Sequence, residues 1–342
     1  PPGDAAQELR RAGFIYHPLK MQRAGVNPWA ELGAARDLAR LYRRIGPELV
    51  HHIALKSVLY GSVVARSLGI PAVGSITGLG YTFIPGGPQR IALREGISLM
   101  LRAALASANV HLIFQNPDDR ELFIRKKLVR ESRTSLIAGS GVDTDRFAFL
   151  PEPSSVPRVL IATRMLKDKG VSEAIAAARL LRQRNVQFEL VLAGDVDLEN
   201  PASIAAEQLR AWHAEGIARW LGQSRDIARL LQEAHVACLP SYREGLPLFL
   251  AEAASAGRAA VTTDVPGCRS VVLHGRTGLL VPVRDARGLA DALQALLSNA
   301  ELRERMGKAA RELALREFAK ERVNEAVFDI YCALLASTGD AS

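Results

Sequence analysis

At 342 residues the chain has room for two domains of ordinary size. Its 48 % hydrophobic and 23 % charged content excludes a disordered or fibrous polypeptide, and no apolar run is long enough to span a bilayer as a helix. The net charge of +8 fits an anionic membrane surface, a phosphorylated ligand or nucleic acid, but aromatic residues at 6 % are too few for a single-strand stacking platform, so nucleic acid is not expected.

In chain order, residues 4–13 read as a short helix and 14–17 as a strand. Residues 21–28 form a loop with turn chemistry at Asn27-Pro28. A helical period over 29–44 keeps its basic residues on the outer side. The strand 48–53 ends in His51 and His52 facing a crevice, which only one of them can enter because strand neighbours alternate faces. A helix over 56–68 stops at Gly69, and the strand 70–76 runs into the glycine-rich Ser75-Ile76-Thr77-Gly78-Leu79-Gly80-Tyr81. The helix 89–108 sets Ile91, Leu93, Ile97 and Leu101 beside Arg90, Arg94 and Arg102, a pattern shared by half-buried helices and by helices lying on a membrane. A strand at 111–114, a helix over 117–128 and the segment 135–137 close this half.

Gly139-Ser140-Gly141-Val142-Asp143 and the proline-rich stretch 151–157 then interrupt the pattern, dividing a first domain, 1–150, from a second, 151–342. The second half places strands at 159–162, 188–192, 219–221, 235–239, 259–262 and 279–281, with helices between them and a tail over 286–336 that is helical with few breaks. Strands alternating with helices predict an α/β fold of two Rossmann-like, doubly wound domains facing across a cleft. In such sheets ligands bind beyond the carboxyl ends of the strands. The cysteines Cys238, Cys268 and Cys332 lack metal-like spacing, and Cys238 falls in an apolar strand, a usage that fits a reducing cytoplasm.

The most informative stretch follows the 235–239 strand: Ser241-Tyr242-Arg243-Glu244-Gly245-Leu246-Pro247, then an apolar helix containing Glu252 and ending before Gly257. Pro247 suits the first helical position and Gly257 the position just past the end. Eight residues separate the two glutamates, about two helical turns and roughly 80° of rotation. They cannot clasp one atom, but they can grip two ends of an extended ligand. Between them the N–H groups of Gly245 and Leu246 offer an anion site at a helix N-terminus. A phosphate flanked by hydroxyl-rich groups describes a sugar nucleotide.

The spacing Glu244 to Glu252, continued by Gly257 and Thr263-Asp264-Val265-Pro266-Gly267, resembles the E-x7-E region of the retaining, GT-B-fold glycosyltransferases of family 4. The likeness covers nearly the whole chain and is greatest to capsule-type enzymes that extend undecaprenyl-diphosphate-linked sugars. Family members begin with a strand–helix–strand unit before the point matched by Pro1-Pro2-Gly3-Asp4, so the N-terminal domain is expected to lack that unit.

By this resemblance Glu244 contacts the donor sugar and Glu252 holds the ribose. Arg164 and Lys169, in Arg164-Met165-Leu166-Lys167-Asp168-Lys169-Gly170, match the family's diphosphate clamp. A planar fork and a point charge make a sensible pair for two phosphates. Thr77 and Gly78 stand where many members carry a catalytic-loop histidine, and with Arg23 and His52 they form the expected acceptor side. Arg225 is expected beside the base. Asp195-Val196-Asp197 resembles a metal-and-nucleotide signature of another glycosyltransferase fold but lies in a bland polar position, so neither a metal nor another cofactor is expected; the absence of G-x-G-x-x-G argues against NAD. The resemblance therefore implies a cytoplasmic transferase acting on a nucleotide-sugar donor, most simply UDP-linked, and on a lipid-diphosphate-linked saccharide in surface-polysaccharide assembly, in peripheral contact with the membrane. A nucleotide-sugar epimerase on the same scaffold and an inactive nucleotide-sugar-binding protein remain open at this point.

Overall fold

Two all-parallel sheets, one in each half, organise the chain. The computed structural model describes residues 4–19, 28–79, 88–106 and 109–339. In the first half β1 (Val50–Ile53), β2 (Ala72–Ile76), β3 (Val110–Phe114) and β4 (Thr134–Leu136) pair in that order. A parallel sheet is covered on both faces and its strands are correspondingly apolar. On one face Ile76, Leu112 and Phe114 pack with Val58, Leu101 and Phe123 from the helices Leu55–Ser67, Pro88–Ala104 and Pro117–Arg125. On the other face Val73 and Ile113 meet Val323 and Ile330 of the last helix, Lys320–Gly339.

The second half holds β5 (Arg158–Ala162), β6 (Glu189–Ala193), β7 (Arg219–Trp220), β8 (Val236–Leu239), β9 (Ala259–Thr263) and β10 (Gly278–Val281). Their spatial order is β10-β9-β8-β5-β6-β7. The helices Val171–Gln183 and Ala286–Leu297 cover one face through Ile175, Leu181, Leu289 and Leu293. Leu248–Ser255 and Ala300–Leu313 cover the other through Leu250, Ala254, Ala310 and Leu313. Cys238 and Cys268 lie in these cores, where burial pushes both thiols up to about 12.

One expected strand is not formed, and the tail and the linker take a definite form. Residues 14–17 form no strand: Phe14 and Ile15 are exposed, and strand-forming side chains make a strand only where a neighbouring edge offers hydrogen bonds. The tail is helical with few breaks, as expected. Asn299 accepts the Leu302 N–H at 2.9 Å and starts a new helix there, and a π-helical turn, Ala314–Phe318, ends at Ala319, whose extended backbone bridges Val142. Beyond that bridge the chain returns to the first sheet, so the tail serves both halves.

The stretch 139–157, read as the domain linker, is docked along the second half by cations. The Arg311 guanidinium donates to the Thr144 and Phe147 carbonyls, each at 3.0 Å. Arg258, 2 % exposed, donates to the Leu231 and Pro151 carbonyls. Arg303 grips Glu152 at 2.8 Å and 3.0 Å and also binds the Leu296 and Leu297 carbonyls that end the Ala286–Leu297 helix. Part of the basic excess therefore holds backbone in place rather than an outside anion.

Candidate active site

The order of the second sheet reverses at β5, which has β6 on one side and β8 on the other. Loops leaving the carboxyl ends of β5 and β8 must diverge there, and the crevice between them is the natural ligand position of an open α/β sheet. The β5 loop carries Arg164 and Lys169, and the β8 loop carries Ser241 to Leu246.

The two loops are joined. Lys169 Nζ lies 2.6 Å from Glu244 Oε1, and Ser241 Oγ donates to the same oxygen at 2.6 Å. The Tyr242 N–H donates to the Asp168 carbonyl at 2.9 Å, while its hydroxyl donates to Glu173 Oε1 at 2.6 Å. Burial pushes that phenol up to about 12, helped by Glu173. Gly170 permits this approach: at φ +72 a Cβ would lie 2.0 Å from the Pro240 carbonyl oxygen. Arg164 stands further out, its Nη1 2.7 Å from Asp197 Oδ2. Asp197 thus has a cation as its partner, and among the described residues no cluster of three or more His, Cys, Asp or Glu is arranged to hold a metal.

Glu252 sits in the helix Leu248–Ser255, which begins one residue later than expected; Pro247 is its N-cap, with ψ 106, rather than its first helical residue. Gly257 does lie just past the end, at φ +70. Burial pushes the Glu252 carboxyl up to about 7, against the opposing pull of Arg146. Arg146 Nη2 also donates to the Arg225 carbonyl at 3.2 Å, which places the exposed Arg225 beside this end of the site. Arg146 was passed over in the sequence because it lies inside a stretch that reads as linker.

The first half closes over the same loop. A Cβ on Gly245 would fall 1.9 Å from the Thr77 carbonyl oxygen, and one on Gly78, at φ +135, would lie 3.3 Å from Gly245 Cα. A Cβ on Gly267 would be 2.4 Å from the Gly245 oxygen. Gly78 and Gly245 therefore bring backbone against backbone where the two halves meet, and Gly267 supports the Gly245 turn from within the second half. Asn116, buried after β3, donates to the Gly245 carbonyl at 2.8 Å. Among the described residues the N–H groups of Gly245 and Leu246 show no hydrogen-bond partner, and Gly245 itself is buried.

Residues 142–313 match the model of the family described as glycosyl transferases group 1, and residues 1–121 match a glycosyl transferase 4-like model. The chain belongs to the group 1 glycosyltransferases. It is 28 % identical over 330 residues to N,N'-diacetylbacillosaminyl-diphospho-undecaprenol alpha-1,3-N-acetylgalactosaminyltransferase of Campylobacter jejuni, covering 92 % of this chain and 85 % of that protein. It is 30 % identical over 335 residues to EpsD of Bacillus subtilis, a protein provisionally named a glycosyltransferase, covering 93 % and 84 %. Its fold is GT-B, shared with the sucrose-phosphate synthase of Thermosynechococcus elongatus at a TM-score of 0.79 and 22 % identity, over 94 % of this chain and 86 % of that one. Anabaena HepE in complex with UDP-glucose superposes with a TM-score of 0.75 at 18 % identity, over 97 % and 89 %. This group 1 glycosyltransferase is thus an enzyme of the transferase class, and none of these relatives is named an epimerase.

On the acceptor side of this transferase the expectations divide. Thr77 and Gly78 reach the Glu244 loop. His52 does not face the cleft: it is 6 % exposed beneath the helix Leu55–Ser67, where a Cβ on Gly61 would collide with its ring, and its Nε2 is 2.8 Å from the Tyr42 hydroxyl. Burial, with His51 beside it, pulls His52 down to about 4. His51 points to the opposite face, between Ser75 Oγ at 2.7 Å and the Tyr331 hydroxyl of the last helix. The alternation of neighbours holds, but packed helices cover both faces. Arg23 and Tyr81 lie outside the described residues. No helix among the described residues is long and apolar enough to cross a membrane.

Proposed function

We propose that this chain transfers a sugar, with retention of configuration, from a nucleotide donor to a lipid-diphosphate-linked saccharide in surface-polysaccharide assembly. UDP-sugars are the donors favoured. The observation that carries the reading is the Lys169–Glu244 pair at the switch point of the second sheet, beside the N–H groups of Gly245 and Leu246, which show no partner among the described residues. Cations and backbone donors at one spot suit a diphosphate, and the adjacent carboxylate suits the hydroxyls of the sugar it carries. A UDP-glucose-bound GT-B neighbour and a relative named for an undecaprenol-diphosphate acceptor support the choice of substrates.

In the proposed reaction the bond from the anomeric carbon to the phosphate oxygen breaks, and the diphosphate leaves with the electron pair. The acceptor hydroxyl bonds to the same face of that carbon and passes its proton to the departing phosphate oxygen. Lys169 and Arg164 stabilise the growing negative charge without a metal ion. Glu252 takes the ribose hydroxyls and Glu244 orients the sugar. The acceptor enters past Thr77 and Gly78, with the enzyme at the cytoplasmic face of the membrane. The test is thermal stabilisation by UDP, GDP, ADP and TDP and their sugars in the presence of EDTA, followed by transfer to a synthetic polyprenyl-diphosphate sugar. Nucleotide at a hundred times its dissociation constant adds about 2.7 kcal/mol. A folded protein unmoved by every nucleotide would overturn the reading.

A further inference from the structure

The turn that carries Glu244 is held from outside its own domain. Arg243, the residue before it, points across the cleft, with Nη2 2.7 Å from Asp119 Oδ1. Asp119 lies in the first turn of the helix Pro117–Arg125 and is 1 % exposed. Asn116 caps that helix, accepting the Asp119 N–H at 2.8 Å. Its amide nitrogen donates to Asp119 Oδ2 at 3.1 Å and to the Gly245 carbonyl at 2.8 Å. The first domain therefore grips Arg243 and Gly245, while Glu244, between them, turns its side chain back to Lys169 in the second domain.

The cost of this arrangement argues against simple adhesion. Burial drives the Asp119 carboxyl above its ordinary range although Asn116 and Arg243 both pull it down. A buried ion pair contributes little net stability compared with an apolar contact, but it defines one geometry. The rim pair between Arg269 and Asp118, at 3.2 Å and exposed, lacks that constraint. Transfer needs the donor sugar, held by one domain, and the acceptor, admitted along the other, in a single reactive arrangement.

We propose that Asp119 and Arg243, with Asn116 as a fixed post, form an interdomain latch that positions the Glu244–Gly245 turn for transfer. They are positioning residues, and the catalytic part of the proposal rests on the transferase reading above. The experiment compares Asp119→Asn, Arg243→Gln and the double variant by hydrogen exchange of peptides spanning 241–246, by UDP binding and by steady-state transfer. Each single change should speed exchange in this turn and lower kcat roughly tenfold, while the UDP dissociation constant stays within about twofold. The double variant should be no worse than the poorer single one, because the two residues act as one contact. Unchanged exchange, multiplicative losses in the double variant, or loss of UDP binding in step with kcat would each overturn the latch. Should Asp119→Asn fail to fold, Arg243→Lys carries the same expectations, since it keeps the charge but loses the planar fork. If the wild-type chain neither bound UDP nor transferred sugar, the transferase reading would fail, and the exchange comparison would still decide whether the latch exists.

Discussion

Lys169 Nζ and Glu244 Oε1, 2.6 Å apart, join the loops that leave the two central strands of the second sheet. The cation proposed for the donor diphosphate and the carboxylate proposed for the sugar thus form one ion pair, and Ser241 Oγ shares the same oxygen. Lys169→Ala and Glu244→Ala should each lower kcat by about 100-fold, the scale of losing one preorganised group at a developing charge. The double variant should fall well short of the product of the two losses, because each single change already disrupts the other residue's setting. Steady-state transfer on the four proteins checks this, and fully multiplicative losses would show that the pair does not act as a unit.

Arg164 is held by Asp197 at 2.7 Å in a pair whose arginine is 57 % exposed. Such a pair contributes only about 0–1 kcal/mol. Asp197→Asn should free the guanidinium for the diphosphate and tighten UDP binding by up to about fivefold, with no dependence on added Mg or Mn. Calorimetric titration with and without EDTA measures both points. Weaker binding in the variant, restored by metal, would instead give Asp195 and Asp197 a metal-binding role.

Most of the strand–helix order was legible in the sequence because alternation is local: β2, β3 and β5 lie within two residues of where the apolar runs place them. The E-x7-E stretch was legible for the same reason. What escaped depends on what packs where. His52 looked like a cleft residue because it ends a strand, yet the Gly61 face of the next helix covers it. Arg146 and Arg303 carry no local sequence signal; the docked 139–157 stretch bears the one and is gripped by the other. Asp119 and Arg243 are 124 positions apart, and nothing in either local pattern signals the other.

Arg303 is 5 % exposed and satisfies Glu152 and two helix-terminal carbonyls together. Arg303→Met keeps much of the apolar stem but orphans all three acceptors. The expected loss is about 3 kcal/mol, near the lower end for breaking a buried pair because Glu152 can regain water. Urea unfolding would register it as a lower midpoint. Adding Glu152→Gln should recover part of that loss, since the remaining partner is then uncharged; no recovery would locate the damage at the Leu296 and Leu297 carbonyls instead.

Glu252 should make donor binding depend on pH. Its carboxyl is raised from an ordinary 4.5 to about 7 by burial, with Arg146 opposing. Between those values the folded state keeps a proton that the unfolded state has released, so this group's contribution to stability is fully present below the unfolded value and is lost as pH rises through about 7. Ribose hydroxyls that donate to the carboxylate favour its ionised form, so the bound group should titrate lower than the free one. Donor binding must then release a fraction of a proton near about pH 6.5 and almost none above about pH 8.5, and affinity should weaken as pH falls below about 7. A UDP-sugar is the right probe, because it lacks the terminal phosphate whose own ionisation would confuse the count. Calorimetry in two buffers of different ionisation heat gives the proton number directly. Glu252→Gln should abolish the release; release that persists in that variant would mean that another group titrates on binding and that Glu252 does not hold the ribose.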